Sequence, residues 1–130
     1  MSDKICYLDF DRTISKYHLY NDTMEINEGV NEFISKIRRL DYKVVLNTFR
    51  ADLNNGSLKT ALIFLKENEI EIDEVVSSKI TPEPFQMNSQ IIFIDDEAFN
   101  IPLKKSDVEW NVKLVDFFAI NKLLFELYGI

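Results

Sequence analysis

Short, nearly continuous apolar runs that alternate with stretches of helical period constrain this chain most. The run Lys4 to Phe10 has the pattern of a strand covered on both faces, and Lys43 to Thr48 repeats it. Val75-Val76 is a weak third strand, Gln90-Ile91-Ile92-Phe93-Ile94 a strong fourth, and Val112 to Val115 a fifth. Between them, Val30, Phe33, Ile34, Ile37 and Leu40 fall at helical spacing, with Asn27 as N-cap. Leu58, Ala61, Leu62 and Leu65 mark a second helix capped by Asn55 or Ser57. Ala119, Ile120, Leu123, Leu124 and Leu127 mark a terminal helix that Gly129 ends. Strands alternating with helices predict a three-layer α/β domain with a mostly parallel sheet. At 130 residues this is one domain, spanning 1–130.

Composition narrows the function classes. The chain is 46% hydrophobic, enough to bury a core, which excludes wholesale disorder. A single cysteine, Cys6, excludes an internal disulfide and a cysteine-based zinc site; in its apolar run it reads as a small buried hydrophobe. The net charge of −7 disfavours nucleic acid and membrane surfaces as partners. No apolar stretch approaches a membrane span, and Met1-Ser2-Asp3-Lys4 lacks a signal peptide's basic start, so the expected location is the cytoplasm.

The residues able to do chemistry sit where the apolar runs stop. Strand one ends in Asp9-Phe10-Asp11-Arg12-Thr13; alternation puts both aspartates on one face and turns Phe10 to the core. Strand four ends in Asp95-Asp96-Glu97. Acids converging beyond two buried strands repel one another unless a cation or a shared proton relieves them, and an all-oxygen site suits magnesium. Strand two ends in Asn47-Thr48, and Lys79 precedes strand four as a fixed positive charge. Ligands of open α/β sheets bind beyond the carboxyl ends of strands, so the irregular stretches 14–27 and 97–110 are expected to frame the site. Each of these residues alone has a plain reading as a cap, a turn or a solvated side chain. The ordered set, each member at the end of its own strand, points to one site.

That set resembles the motifs of the haloacid dehalogenase superfamily of phosphatases. Asp9-Phe10-Asp11-Arg12-Thr13 is similar to the first motif, Thr48 after Val44-Val45-Leu46 to the second, Lys79 to the third and Asp95-Asp96 to the fourth. The likeness runs from about residue 4 to residue 96, with Arg12 where the family usually has glycine. It implies a Rossmann-like fold without a separate cap domain and a magnesium-dependent phosphohydrolase acting on a small phosphorylated molecule, a sugar phosphate or a nucleotide. Asp9 would attack phosphorus, and Asp11 would serve as acid and base. Thr48 and Lys79 would hold the phosphoryl group. Magnesium would take Asp9, the backbone carbonyl of Asp11 and one of the last pair, Asp96 directly and Asp95 behind it. Thr13, Asn47 and Arg50 are expected to contact substrate, Arg50 by clasping an anionic group.

Other residues have duller expectations. His18 has no assigned ligand role, and Tyr17 and Tyr20 pack their loop down. Trp110 is expected to pack, while Phe118, Phe125 and Tyr128 leave a spare apolar face for a homo-oligomer contact. Two other classes compete with the phosphatase. A receiver-like phospho-accepting domain would place its phosphorylated aspartate at strand three, where this chain has none. A non-catalytic binding module would be favoured by loss of a motif acid or Thr48, all of which are present.

Overall fold

The computed structural model describes residues 3–19 and 21–130. Met1, Ser2 and Tyr20 lie outside the described residues, and with them the very start of the chain and the expected packing role of Tyr20. Among the described residues, six strands and four helices follow one another: β1 (Lys4–Leu8), α1 (Val30–Arg39), β2 (Tyr42–Leu46), α2 (Arg50–Leu53), α3 (Ser57–Glu67), β3 (Glu74–Val75), β4 (Ile91–Ile94), β5 (Leu103–Lys105), β6 (Lys113–Val115) and α4 (Phe117–Tyr128). β1 to β4 form one sheet in the order β3-β2-β1-β4, with every pairing parallel. Cys6, Leu8, Val44, Leu46, Ile92 and Ile94 are wholly buried along one face. The opposite face is less covered: Ile5 and Tyr7 are half-buried and Ile91 is exposed, so strand one is shielded fully on one side only.

The strand order places the site. From β1 the chain runs outward to β2 and β3, then returns to the other flank of β1 to lay down β4. Loops after β1 and β4 therefore diverge, opening a crevice at the carboxyl edge between them. Leu8 pairs with both Leu46 and Ile94, so Asp9, Asn47 and Asp95 leave their strands side by side. Two bonds carry this alignment past the strand ends, Asp9 N–H to the Ile94 carbonyl and Asn47 N–H to the Leu8 carbonyl, 2.9 and 2.8 Å.

Several expectations change in detail. Residues 113–115 pair antiparallel with β5 in a separate two-stranded sheet and do not extend the main one. A short buried strand reads the same whichever partner it takes, so periodicity could not separate the two. Gly29, not Asn27, caps α1: its φ of 90° suits glycine, and a Cβ there would lie 3.1 Å from the Phe117 Cβ. Asn27 is buried and donates from Nδ2 to the carbonyls of Thr13 and Val115, both at 2.8 Å, tying the first motif to β6. Asn55 accepts the Ser57 N–H, but Gly56 holds the cap position of α3. α2 was not foreseen. α4 starts at the Asp116 cap and ends at left-handed Gly129 as expected, yet Leu127 is exposed and Asn121 takes a buried place on its inner face. Trp110 does not pack: it is 93% exposed beyond β5. Among the described residues no helix is long and apolar enough to cross a membrane.

A buried ammonium fastens the irregular loop after β1. Lys16, 1% exposed, lies 2.6 Å from Glu28, 3.2 Å from Asp107 and 3.4 Å from Glu25. It thereby joins residues 14–28 to the connection between β5 and β6. The Lys16 hydrogen bond holds the Glu28 carboxyl down from its ordinary 4.5 to about 2. A carboxyl depressed in the folded state contributes stability above its unfolded value and loses it as pH falls through the folded one. The wild type should therefore lose stability between pH 4.5 and about 2 more steeply than Glu28→Gln, read from urea midpoints across that range. Parallel curves would contradict the assignment.

Candidate active site at the carboxyl edge of the sheet

Asp9 is the first residue beyond β1, 5% exposed, and both of its carboxylate oxygens are engaged. Lys79 Nζ donates to Oδ1 at 3.3 Å and Thr13 Oγ1 to Oδ2 at 3.1 Å. Asp95, the first residue beyond β4, is 1% exposed; its Oδ1 accepts the Glu97 N–H at 2.9 Å. Its Oδ2 accepts no well-aligned hydrogen bond but lies 3.1 Å from Lys79 Nζ. Asp96 is less buried and faces the same cavity as Asp9 and Lys79. One carboxylate oxygen from each of Asp9, Asp95 and Asp96 lies within 4.8 Å of the others.

Three carboxyls and one ammonium leave the cluster short of positive charge. Burial, then the charge of Asp95, push the Asp9 carboxyl well above its ordinary range, with Lys79 pulling the other way. Burial also raises Asp96 to about 7. Burial alone would lower Lys79, but Asp9 and Asp95 outweigh it and hold the ammonium charged above its ordinary value. A hard divalent cation suits such an oxygen-only cluster, since its charge removes the repulsion among the ligands. The three carboxylates give the all-oxygen donor set that magnesium takes.

Lys79 reaches the cluster because side chains from the end of β2 pin the irregular segment that carries it. Asp52 of α2 accepts from Ser78 Oγ at 2.5 Å and from the Lys79 N–H at 2.9 Å. The Asn47 amide brackets Ile80, donating to its carbonyl and accepting from its N–H, both at 2.8 Å. Asn47 is therefore a scaffold for this segment and its amide is not turned to substrate. Thr13 likewise faces Asp9, with no exposed surface, and orients that carboxylate. Thr48 is wholly buried, and its Oγ1 accepts the Arg50 N–H at 3.2 Å.

Arg50 departs furthest from expectation. Its guanidinium is 3% exposed and grips Asp11, with Nη2 2.7 Å from Oδ1 and Nε 3.1 Å from Oδ2. Nη1 donates to the Ser57 carbonyl at 2.9 Å, and the group sits 4.9 Å from the Phe10 ring centre. Phe10 is buried as predicted, edge-on to Phe64 of α3. Arg50 thus orients Asp11 from behind and is not placed to clasp substrate. Sequence reading missed Asp52 and this clamp because both act through contacts far apart in the chain.

A cavity of about 610 Å³ opens here, with Asp9, Asp11, Lys79, Asp96, His18 and Phe49 in its wall. Comparison with models of known families, with curated proteins and with solved structures gives no match. The reading of the site therefore stands on its residues.

Arg12 has φ 58°, the left-handed conformation that glycine adopts without strain. Its N–H bonds the Tyr17 carbonyl at 3.2 Å and its Nε lies 3.4 Å from Glu109, so the turn is held in place on both sides. Arg12→Gly should unfold within about 1 kcal/mol of the wild type, relief of the left-handed strain offsetting the lost ion pair. Arg12→Val should lose about 2 kcal/mol, since a β-branched side chain is worst placed there. Equal stabilities for the two variants would refute a strained turn.

Proposed function

We propose that the protein is a magnesium-dependent phosphohydrolase of the haloacid dehalogenase type, with a three-layer Rossmann-like fold, cleaving a phosphate monoester through an aspartyl-phosphate. The observation that carries this reading is the placement of Asp9. It is a buried carboxylate at the switch point of a parallel sheet, oriented by Thr13 and Lys79 and facing a cavity that Asp96 shares.

Asp9 and Asp96 would hold the magnesium together with the Asp11 backbone carbonyl, while Asp95 stays behind them on Lys79 and the Glu97 N–H. The ion would neutralise charge on the cluster and on the phosphoryl oxygens. Asp9 attacks phosphorus in line, the bond to the leaving oxygen breaks, and Asp11 gives that oxygen a proton. Water then attacks phosphorus, Asp11 takes its proton, the bond to Asp9 breaks, and inorganic phosphate leaves. Lys79 stays within reach of Asp9 throughout and offsets negative charge as it shifts onto the phosphoryl group. Arg50 fixes the aim of Asp11. In the first half-reaction Asp11 must carry its proton on an oxygen that otherwise accepts from Arg50, so one of those bonds loosens in that step. Thr48 has no exposed surface, and by accepting the Arg50 N–H it supports the residue that aims Asp11.

Release of p-nitrophenol from p-nitrophenyl phosphate tests this reading. The wild type should turn over with magnesium and stop with a chelator, and Asp9→Asn should lose at least about a thousandfold, as expected when a nucleophile is removed. Metal-independent turnover, or an active Asp9→Asn protein, would contradict it.

A further inference from the structure

Part of the cavity wall is apolar. Phe49 directly follows Thr48, lines the cavity and is 48% exposed, and Leu19 and Pro82 line it too. Phe49 is exposed and Leu19 and Pro82 are half-buried, and together they give one polar cavity an apolar stretch of wall. The neutral hydrogen-bonding side chains in the wall are Ser78, which is bound to Asp52, together with Thr81 and His18. The wall also limits charge. It carries five carboxylates and two cationic side chains, with Arg50 behind Asp11. With Arg50 and Asp95 behind the wall counted, one divalent cation still leaves the site net negative, so a second anionic group on the substrate would be repelled. A volume of about 610 Å³ holds a phosphate and one substantial neutral group.

Resting on the phosphohydrolase reading, we infer that the substrate is a nucleoside monophosphate. Its one phosphate lies over Asp9, and its uncharged base stacks on Phe49 between the apolar side chains of Leu19 and Pro82. Phe49 is the specificity-determining residue: a phenyl face takes any base, and it contributes binding where the leaving group sits without touching phosphorus. A polynucleotide end fits less well, because its further phosphates meet the acidic wall.

The test compares kcat/KM for a ribonucleoside 5′-monophosphate with that for ribose 5-phosphate, which lacks the base, with acetyl phosphate as a ring-free probe of the chemistry. The nucleotide should be preferred over ribose 5-phosphate by about tenfold or more, the size of one base–aromatic stack. Phe49→Ala should collapse that ratio to near unity, chiefly through KM, and Phe49→Tyr should keep it. Equal use of both substrates by the wild type, or a ratio untouched in Phe49→Ala, would overturn this inference and leave the phosphohydrolase reading standing. No magnesium-dependent turnover of any of the three, acetyl phosphate included, would overturn both.

Discussion

The arrangement depends on one electrostatic constraint: three carboxyls, from Asp9, Asp95 and Asp96, crowd together at the end of a parallel sheet, and a single ammonium, Lys79, pairs with two of them. Parallel pairing forces this crowding. Because Leu8 is in register with Ile94, the residues that follow must leave their strands side by side. Uncompensated charge there costs stability, and a fold tolerates it where function requires it. Lys79 relieves part of the repulsion, and the raised Asp9 and Asp96 carboxyls express what is left.

Much of the remaining structure holds that cluster still. The segment carrying Lys79 has no regular structure, yet Asp52 of α2 fastens residues 78 and 79, and Asn47 beyond β2 fastens Ile80. The first motif is fastened in the same way, by Asn27 to β6 and by Arg12 to Tyr17 and Glu109. Lys16 then ties the loop above it to the segment between β5 and β6. Backbone polar groups in irregular segments need partners once water is excluded, and here the partners also fix the geometry of the cavity.

Local periodicity made the framework legible in the sequence. β1, β2 and β4 announce themselves because a strand buried on at least one face must be apolar, and the acids at their ends stand out by contrast. The convergence of Asp9 and Asp95 was legible from their places at strand ends, whereas Lys79 arrives on an irregular segment and was marked only by the motif resemblance. Residues whose partners are distant in the chain were not legible. Arg50, two positions beyond Thr48, looked free to meet substrate, but its partner Asp11 lies 39 residues away. Asn47 looked like a substrate contact for the same reason, its partner Ile80 lying 33 residues away, and Asn27 looked like a helix cap because its bond to Val115 spans 88 residues. Trp110 shows the converse limit, since side-chain size alone does not say whether anything will cover it.

The most direct test of the central claim is thermal unfolding of the wild type and of Asp9→Asn, each with and without magnesium. If the cluster is held under charge repulsion until a divalent cation joins it, magnesium raises the wild-type Tm. Neutral Asp9→Asn should then unfold at or above the wild-type temperature without metal and gain nothing from magnesium. A wild-type Tm indifferent to magnesium, with Asp9→Asn less stable than the wild type in metal-free buffer, would contradict the account: Asp9 would then be a structural partner of Lys79 and Thr13, and no metal site would exist.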